Sequence, residues 1–289
     1  MSAGRGLART VGAGRGVART VRAGRGSPRT VSAGGYVPRW LIAPAAAGLL
    51  FLLVPLTALI ARVQWATLWS DITSPAAVEA LGLSLGTGAA ATALCAVVGI
   101  PLAVVIARSP ARVAALLRAL VTVPLVLPPM VGGVALLYLF GRSGPLGILG
   151  LPFTTAAVVL AQIFVALPFL VLAVEGTLRS TGVEFERAAA SLGASRATIL
   201  RRVTLPLAAP GIVAGVVLCF ARAIGEFGAT ALFAGNRPGV TQTMPLAIYT
   251  AFNGAGVSQG TAVALSLLLL VTAVAVLLLV RGWRPGVGR

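Results

Sequence analysis

The stretch ERAAASLGASRATILRRVTLPLAAPG, Glu186 to Gly211, decides how this chain is read. It carries four arginines and a Gly-Ala-Ser break, yet it lies between two segments apolar enough to sit in lipid. Phe185, Ala188, Ala189 and Leu192 fall at helical spacing, and Gly193 is a natural helix stop. Ser195 is placed to cap a second short helix through Ala197, Ile199 and Leu200. Pro206 and Pro210 stand where a membrane span would begin, and proline is tolerated in a first helical turn. The spacing predicts a helix–bend–helix with a small apolar face and a basic surround. Its small side chains permit close backbone approach to a groove on another protein.

The surroundings of that stretch set the class. Of 289 residues, 58% are hydrophobic and only 10% charged, with a mean hydropathy of +0.99. Soluble domains carry about 25% charged residues, and apolar runs here repeat at roughly the 20-residue length that crosses a bilayer. The chain reads as an all-α membrane protein. All 23 basic residues are arginine, opposed by six acids. They lie mainly between or outside the apolar runs, so the net charge of +17 speaks to membrane orientation. A nucleic-acid partner would rest on the amino-terminal tail alone and is set aside.

That tail, residues 1–39, repeats AGRGLARTV, AGRGVARTV and AGRGSPRTV from Ala3, Ala13 and Ala23. It has too little apolar surface to offset the entropy of ordering and reads as disordered. Two readings stay open: adhesion to anionic membrane lipids at roughly 1 kcal/mol per arginine near the surface, or an extension without a role. No strand precedes its GAGRGV, so that run is not read as a phosphate-binding loop. The next apolar run is long enough to span and lacks a clear small-residue cleavage site, so no cleaved signal peptide is expected.

Six spans are expected near 40–61, 80–107, 119–140, 154–178, 207–233 and 259–280, within a transmembrane domain of residues 40–283 and ahead of a short cytosolic end at 284–289. With the amino terminus in the cytosol, 19 arginines fall inside, only Arg62, Arg142 and Arg237 outside, and Arg222 within a span. This positive-inside bias puts both termini in the cytosol. The third span is interrupted by Pro124, Pro128 and Pro129 with Gly132-Gly133. Proline removes an intrahelical donor, and freed carbonyls in lipid must be met by protein or a watery cavity. A packing kink and an opening along a transport path are both consistent with it.

With its Gly and Leu-Pro at the right spacing, the opening stretch resembles the EAA loop of ABC-importer membrane subunits: Glu-Ala-Ala, three residues, Gly, nine residues, Ile-x-Leu-Pro. Ala188, Ala189, Gly193, Leu205 and Pro206 match, with Val203 in the isoleucine place. At the first position stands Arg187, and Glu186 lies one residue earlier. The resemblance implies a type I ABC importer permease fold and makes residues 184–206 a coupling loop seated in a cleft of a cytosolic ATPase. FARAIGEFGATALFAGN (Phe220 to Asn236), followed by TQTMPLAIYTAF (Thr241 to Phe252), is similar to molybdate-type permeases. Sulfate permeases share a related Arg-x-x-Gly-Glu pattern. From Leu81 onward the likeness implies a homodimer around a central pathway, with two ATPase subunits inside and an extracytoplasmic molybdate-binding protein outside, in a bacterial plasma membrane. Tungstate and sulfate or thiosulfate are the alternative cargoes.

Within the fifth span Arg222 and Glu226 are the only charges, four apart and on one helical face. Each would be costly alone in lipid, so they are expected to face protein and pair. The pair reads either as a structural ion pair or as part of a gate offering a transient positive field to an anion. Thr230, Thr241, Gln242 and Thr243 supply neutral donors for an oxyanion, or satisfy loop backbone. Glu175 is expected to pair with Arg179 at i,i+4, while Asp71 and Glu79 are placed in an outer loop open to a binding protein.

Catalysis finds little support. The chain has no histidine, which removes serine–histidine mechanisms and the commonest metal ligand. Cys95 and Cys219 are single residues in apolar runs and read as packing residues, with no metal site and no structural disulfide. No lysine is present, so no GxxxxGK[ST] loop exists, and ATP with magnesium must be bound by a partner. An ion-coupled secondary transporter, the remaining rival, would not need the coupling loop.

Overall fold

The computed structural model describes residues 38–254 and 259–282. The repeat tail expected at 1–39, except its last two residues, and the end expected at 284–289 lie outside the described residues. Packing divides the chain into a small unit, Met1–Leu52, and a large one, Leu53–Arg289. The described part of the small unit is a 3-10 turn at Arg39–Leu41 and the start of α1 (Ile42–Ala61). No residue of α1 is buried, and Leu49, Leu50, Phe51 and Leu52 are open, as on a helix made to face lipid.

Every described element of the large unit is a helix. α2 (Leu68–Ile72) precedes α3 (Pro75–Arg108), whose 34 residues extend about 50 Å at 1.5 Å per residue, well beyond a hydrocarbon core of about 30 Å. The helix starts where it does because the Ser74 hydroxyl accepts from Ala77 N at 3.3 Å and Pro75 takes the first turn. α6 (Thr155–Thr181) is capped the same way, Thr154 Oγ1 accepting from Ala157 N at 3.2 Å. α6 is the axle of the fold. Against it pack α3 and α9 (Leu205–Ile224), burying Ala91, Cys95, Ile106, Leu170, Val174, Leu178, Ala208 and Ala223.

Small residues make that contact possible. Gly211 and Gly215, four apart on α9, press onto α6 so closely that a Cβ on Gly211 would stand 2.1 Å from Thr177 Oγ1. In a bilayer, where apolar burial does not distinguish helix from lipid, such close backbone approach is the main source of helix association.

The third expected span is two helices, α4 (Ala111–Val126) and α5 (Pro129–Phe140), bent by 107° at Leu127-Pro128. Pro128 and Pro129 cannot continue the helix, and Gly132 and Gly133 then let α5 fold back against Phe164 of α6 and against residues Ala229 and Leu232. Among the described residues, four helices are long and apolar enough to cross a membrane, five with the bent pair as one span. A shorter apolar stretch, Gly260–Val276, lies in α12 (Gln259–Gly282).

The fifth span differs most from the expectation of 207–233. The helix already begins at Arg196, runs without a stop through a π turn at Leu200–Thr204, and ends at Ile224. Residues expected to continue it instead form α10 (Gly228–Phe233), which joins α5 and α6 in a second core of Leu136, Ala157, Val158, Ala161, Ala229 and Phe233. A third core joins α3, α11 (Met244–Phe252) and α12 through Ala77, Ala80, Met244, Ala247 and Leu265. Glu79, expected in a loop, is on the first turns of α3, and Asp71 on α2 accepts from Thr261 Oγ1 at 2.9 Å.

Candidate functional site

The bend expected at Gly193 is present and has a defined chemistry. After α7 (Glu184–Ser191), Gly193 adopts φ +83°, where an L side chain is strained. Ala194 N donates to Ala189 O at 3.1 Å and Gly193 N to Ala190 O at 3.0 Å, the paired hydrogen bonds of a Schellman stop. Ser195 then caps α8 (Arg196–Ile199), its hydroxyl accepting from Thr198 N at 3.2 Å. The second short helix does not end before the membrane as expected. Its last turn widens to a π turn, Leu205 N donating to Leu200 O five residues back, and runs into α9. Pro206, which lacks an N–H and crowds the carbonyl four residues before it, sits immediately after the widened turn.

The loop turns its apolar side outward. Phe185 is 61% exposed and Leu192 88% exposed, while Ala188, Arg187, Gly193 and Pro206 are also open. Ala189, Val203 and Leu205 are half-buried and anchor it. Glu186 does the rest. Arg108 grips both of its oxygens, Nη2 to Oε1 at 2.7 Å and Nε to Oε2 at 3.0 Å, and Thr204 Oγ1 donates to Oε1 at 2.8 Å. Burial pushes the Glu186 carboxyl up, but the hydrogen bonds from Arg108 and Thr204 and the Arg108 charge outweigh it, holding the group below the usual carboxylate range. By sequence Arg108 is one of the 19 arginines on the cytosolic side, and nothing in the spacing pairs residues 108 and 186.

Farther into the bundle, the expected Arg222–Glu226 pair forms at 2.6 Å, although Glu226 lies just past the end of α9 rather than within it. Glu226 is fully buried, and its other oxygen accepts from Ala229 N at 2.8 Å, at the start of α10. The pair borders a cavity of about 250 Å³ formed with Pro129, Met130, Gly225, Phe227 and Gly228, where the two broken helices meet. Thr241 is buried and accepts from Arg237 N at 2.9 Å, so it serves loop backbone, and Gln242 donates to Asn236 Oδ1. The hydroxyls of Thr230 and Thr243 are buried without a hydrogen-bond partner.

The expected Glu175–Arg179 pair forms at i,i+4, but it is not the main hold on that carboxylate. Glu175 is held chiefly by Arg118 of α4, through Nε to both oxygens at 3.1 Å and through Nη2, while Arg179 reaches it only at 3.5 Å. A bidentate fork from a neighbouring helix outcompetes a single contact along the same helix. Cys95 and Cys219, far apart in the chain, are both buried in the α3–α6–α9 core, where they pack.

Residues 99–287 match the family of binding-protein-dependent transport system inner membrane components. The molybdenum transport system permease protein ModB of Mycobacterium tuberculosis is 52% identical over 246 residues, covering 83% of this chain and 92% of that protein. The sulfate transport system permease protein CysT of Salmonella typhimurium is 35% identical over 209 residues, covering 69% and 76%. In fold, the chain superposes with a TM-score of 0.66 on a bacterial alginate ABC transporter solved with a pentasaccharide-bound periplasmic protein, at 18% identity and covering 83% of this chain and 91% of that one. With its broken spans and exposed helix–bend–helix, the chain is a multi-pass membrane transport subunit and belongs to the family of binding-protein-dependent transport system inner membrane components.

Proposed function

We propose that this chain is the permease subunit of an ATP-driven importer of molybdate, working as a homodimer in a bacterial plasma membrane with both termini in the cytosol. Residues 184–206 seat in a cleft of a cytosolic ATPase, which binds ATP and magnesium. An extracytoplasmic oxyanion-binding protein delivers the cargo. The observation that carries the coupling role is the uncovered apolar face of Phe185 and Leu192 on a loop otherwise ringed by arginine. Apolar side chains held in water on a rigidly capped bend are surface made for a partner.

Closure of the ATPases moves the knob formed by Glu186, Arg187, Ala188, Ala189 and Gly193, and with it Val203, Leu205 and Pro206 at the root of α9. The break regions then open the pathway outward. Arg222, already neutralised by Glu226, lends positive field without holding a dianion tightly, which suits a conduit that must release its load. The unpartnered Thr230 hydroxyl is a neutral contact that opening would expose, whereas Thr241 is committed to loop backbone.

The cargo reading is supported by the 52% identity to the mycobacterial molybdenum permease; the sulfate permease relative keeps a related oxyanion as the second reading. The test is uptake of labelled molybdate by proteoliposomes holding the permease, its ATPase and its binding protein. Uptake should need ATP, stop with vanadate, and yield to excess tungstate before excess sulfate. Sulfate competing at parity would move the assignment to sulfate, and uptake driven by an ion gradient without ATP would end the importer reading.

A further inference from the structure

Arg108 is the last residue of α3, and its guanidinium is the meeting point of four segments. Beyond the two-pronged grip on Glu186, Nη1 donates to Leu178 O and Nη2 to Gly182 O, each at 3.4 Å, at the carboxyl end of α6. Glu186 in turn accepts from Thr204, the buried residue that closes the π turn leading into α9. Arg108 and Glu186 are 24% and 19% exposed, so the joint is shielded on most sides. No residue of α7 is buried. Among the described residues, the side-chain hydrogen bonds from α7 to other helices all pass through Glu186.

We infer that Arg108 is a positioning residue that transmits movement of the coupling loop to α3 and α6. This rests on the coupling role proposed above. A planar guanidinium bound through two parallel hydrogen bonds resists rotation as well as separation, which one ammonium contact does not. Force arriving at α7 therefore has a stiff route into the α3–α6 pair. The chain offers two other routes, back into α6 through Gly182-Val183, where Gly182 adopts φ +74°, and along α8, which crosses the π turn, a geometry often found at functional hinges. Without the joint, the loop would still dock but would swing on those two links, and hydrolysis would proceed without moving the core helices.

The experiment measures molybdate transported per ATP hydrolysed in the reconstituted complete transporter, with ATPase co-purification as the control for assembly. Arg108→Gln should still capture the ATPase and keep hydrolysis within about twofold of wild type, while transport per ATP falls by about fivefold or more. Arg108→Lys, which keeps the charge but not the fork, should fall in between, and the exchanged pair Arg108→Glu with Glu186→Arg should recover part of the loss. An unchanged ratio in Arg108→Gln, or hydrolysis and transport lost in parallel, would overturn the inference. If Arg108→Gln does not assemble, Arg108→Lys decides: a wild-type ratio there also overturns it. A wild-type complex without ATP-dependent uptake would instead refute the importer reading itself.

Discussion

Gly211 and Gly193 are the same residue used for opposite reasons. Gly211 sits on α9 where no Cβ fits, with Thr177 of α6 already in the space. Gly193 has nothing within 4 Å of where a Cβ would be, but its φ of +83° is one that L residues adopt only with strain. The first serves packing inside the bundle, the second serves backbone shape on an open loop. The interior therefore tolerates no added volume, and the loop tolerates volume but not a change of path. Stability should be concentrated in the first region and coupling in the second.

The sharpest way to break that contrast is Gly211→Leu. Overpacking of this kind costs on the order of 3 kcal/mol, read as a melting midpoint in detergent lower by roughly 10 °C, with uptake lost along with folded protein. Next in size is Leu192→Asp, alone or with Phe185→Asp. Both positions are exposed, so the melting midpoint should stay within about 1 °C, the usual small effect of a surface change, while ATPase co-purification and uptake collapse. A large fall in melting temperature would place those side chains in a packed interior and contradict the loop's role.

Gly193→Val should cost about 1 kcal/mol for the left-handed backbone and lower transport per ATP more than it lowers stability. Gly193→Asn should be milder, because asparagine accepts that conformation more readily. Equal effects from the two would mean that backbone shape at the bend is unimportant. The smallest effect concerns pH. Glu186 has its pKa lowered in the folded protein, so its contribution is full above the ordinary value of 4.5 and is lost as pH falls through the lowered value. The melting difference between wild type and Glu186→Gln should be constant from about pH 6 to 8 and shrink below about pH 4.5. A difference that grew in acid would reverse the assigned sign.

What could be read from the chain followed the range of the forces involved. The Gly193 stop and the Ser195 cap depend on residues within a turn of each other, and both were legible. The Arg222–Glu226 contact was legible for the same reason, but the helix end between them was not. No proline or glycine pair marks Ile224 as strongly as Pro128-Pro129 marks the third span. There α5 and the α5–α10 core decide the path. Arg118–Glu175 and Arg108–Glu186 link residues 57 and 78 positions apart, and no periodicity reports on that.

The sequence by itself determined that this chain lives in a membrane, where its apolar runs fall, and that a basic helix–bend–helix interrupts them, because composition and local spacing control those features. Only the tertiary structure decided which arginine holds which glutamate, where the fifth span ends, and how sharply the third is folded. Those outcomes depend on close backbone approach between distant segments, and in a bilayer that approach, rather than burial of apolar surface, selects the partners.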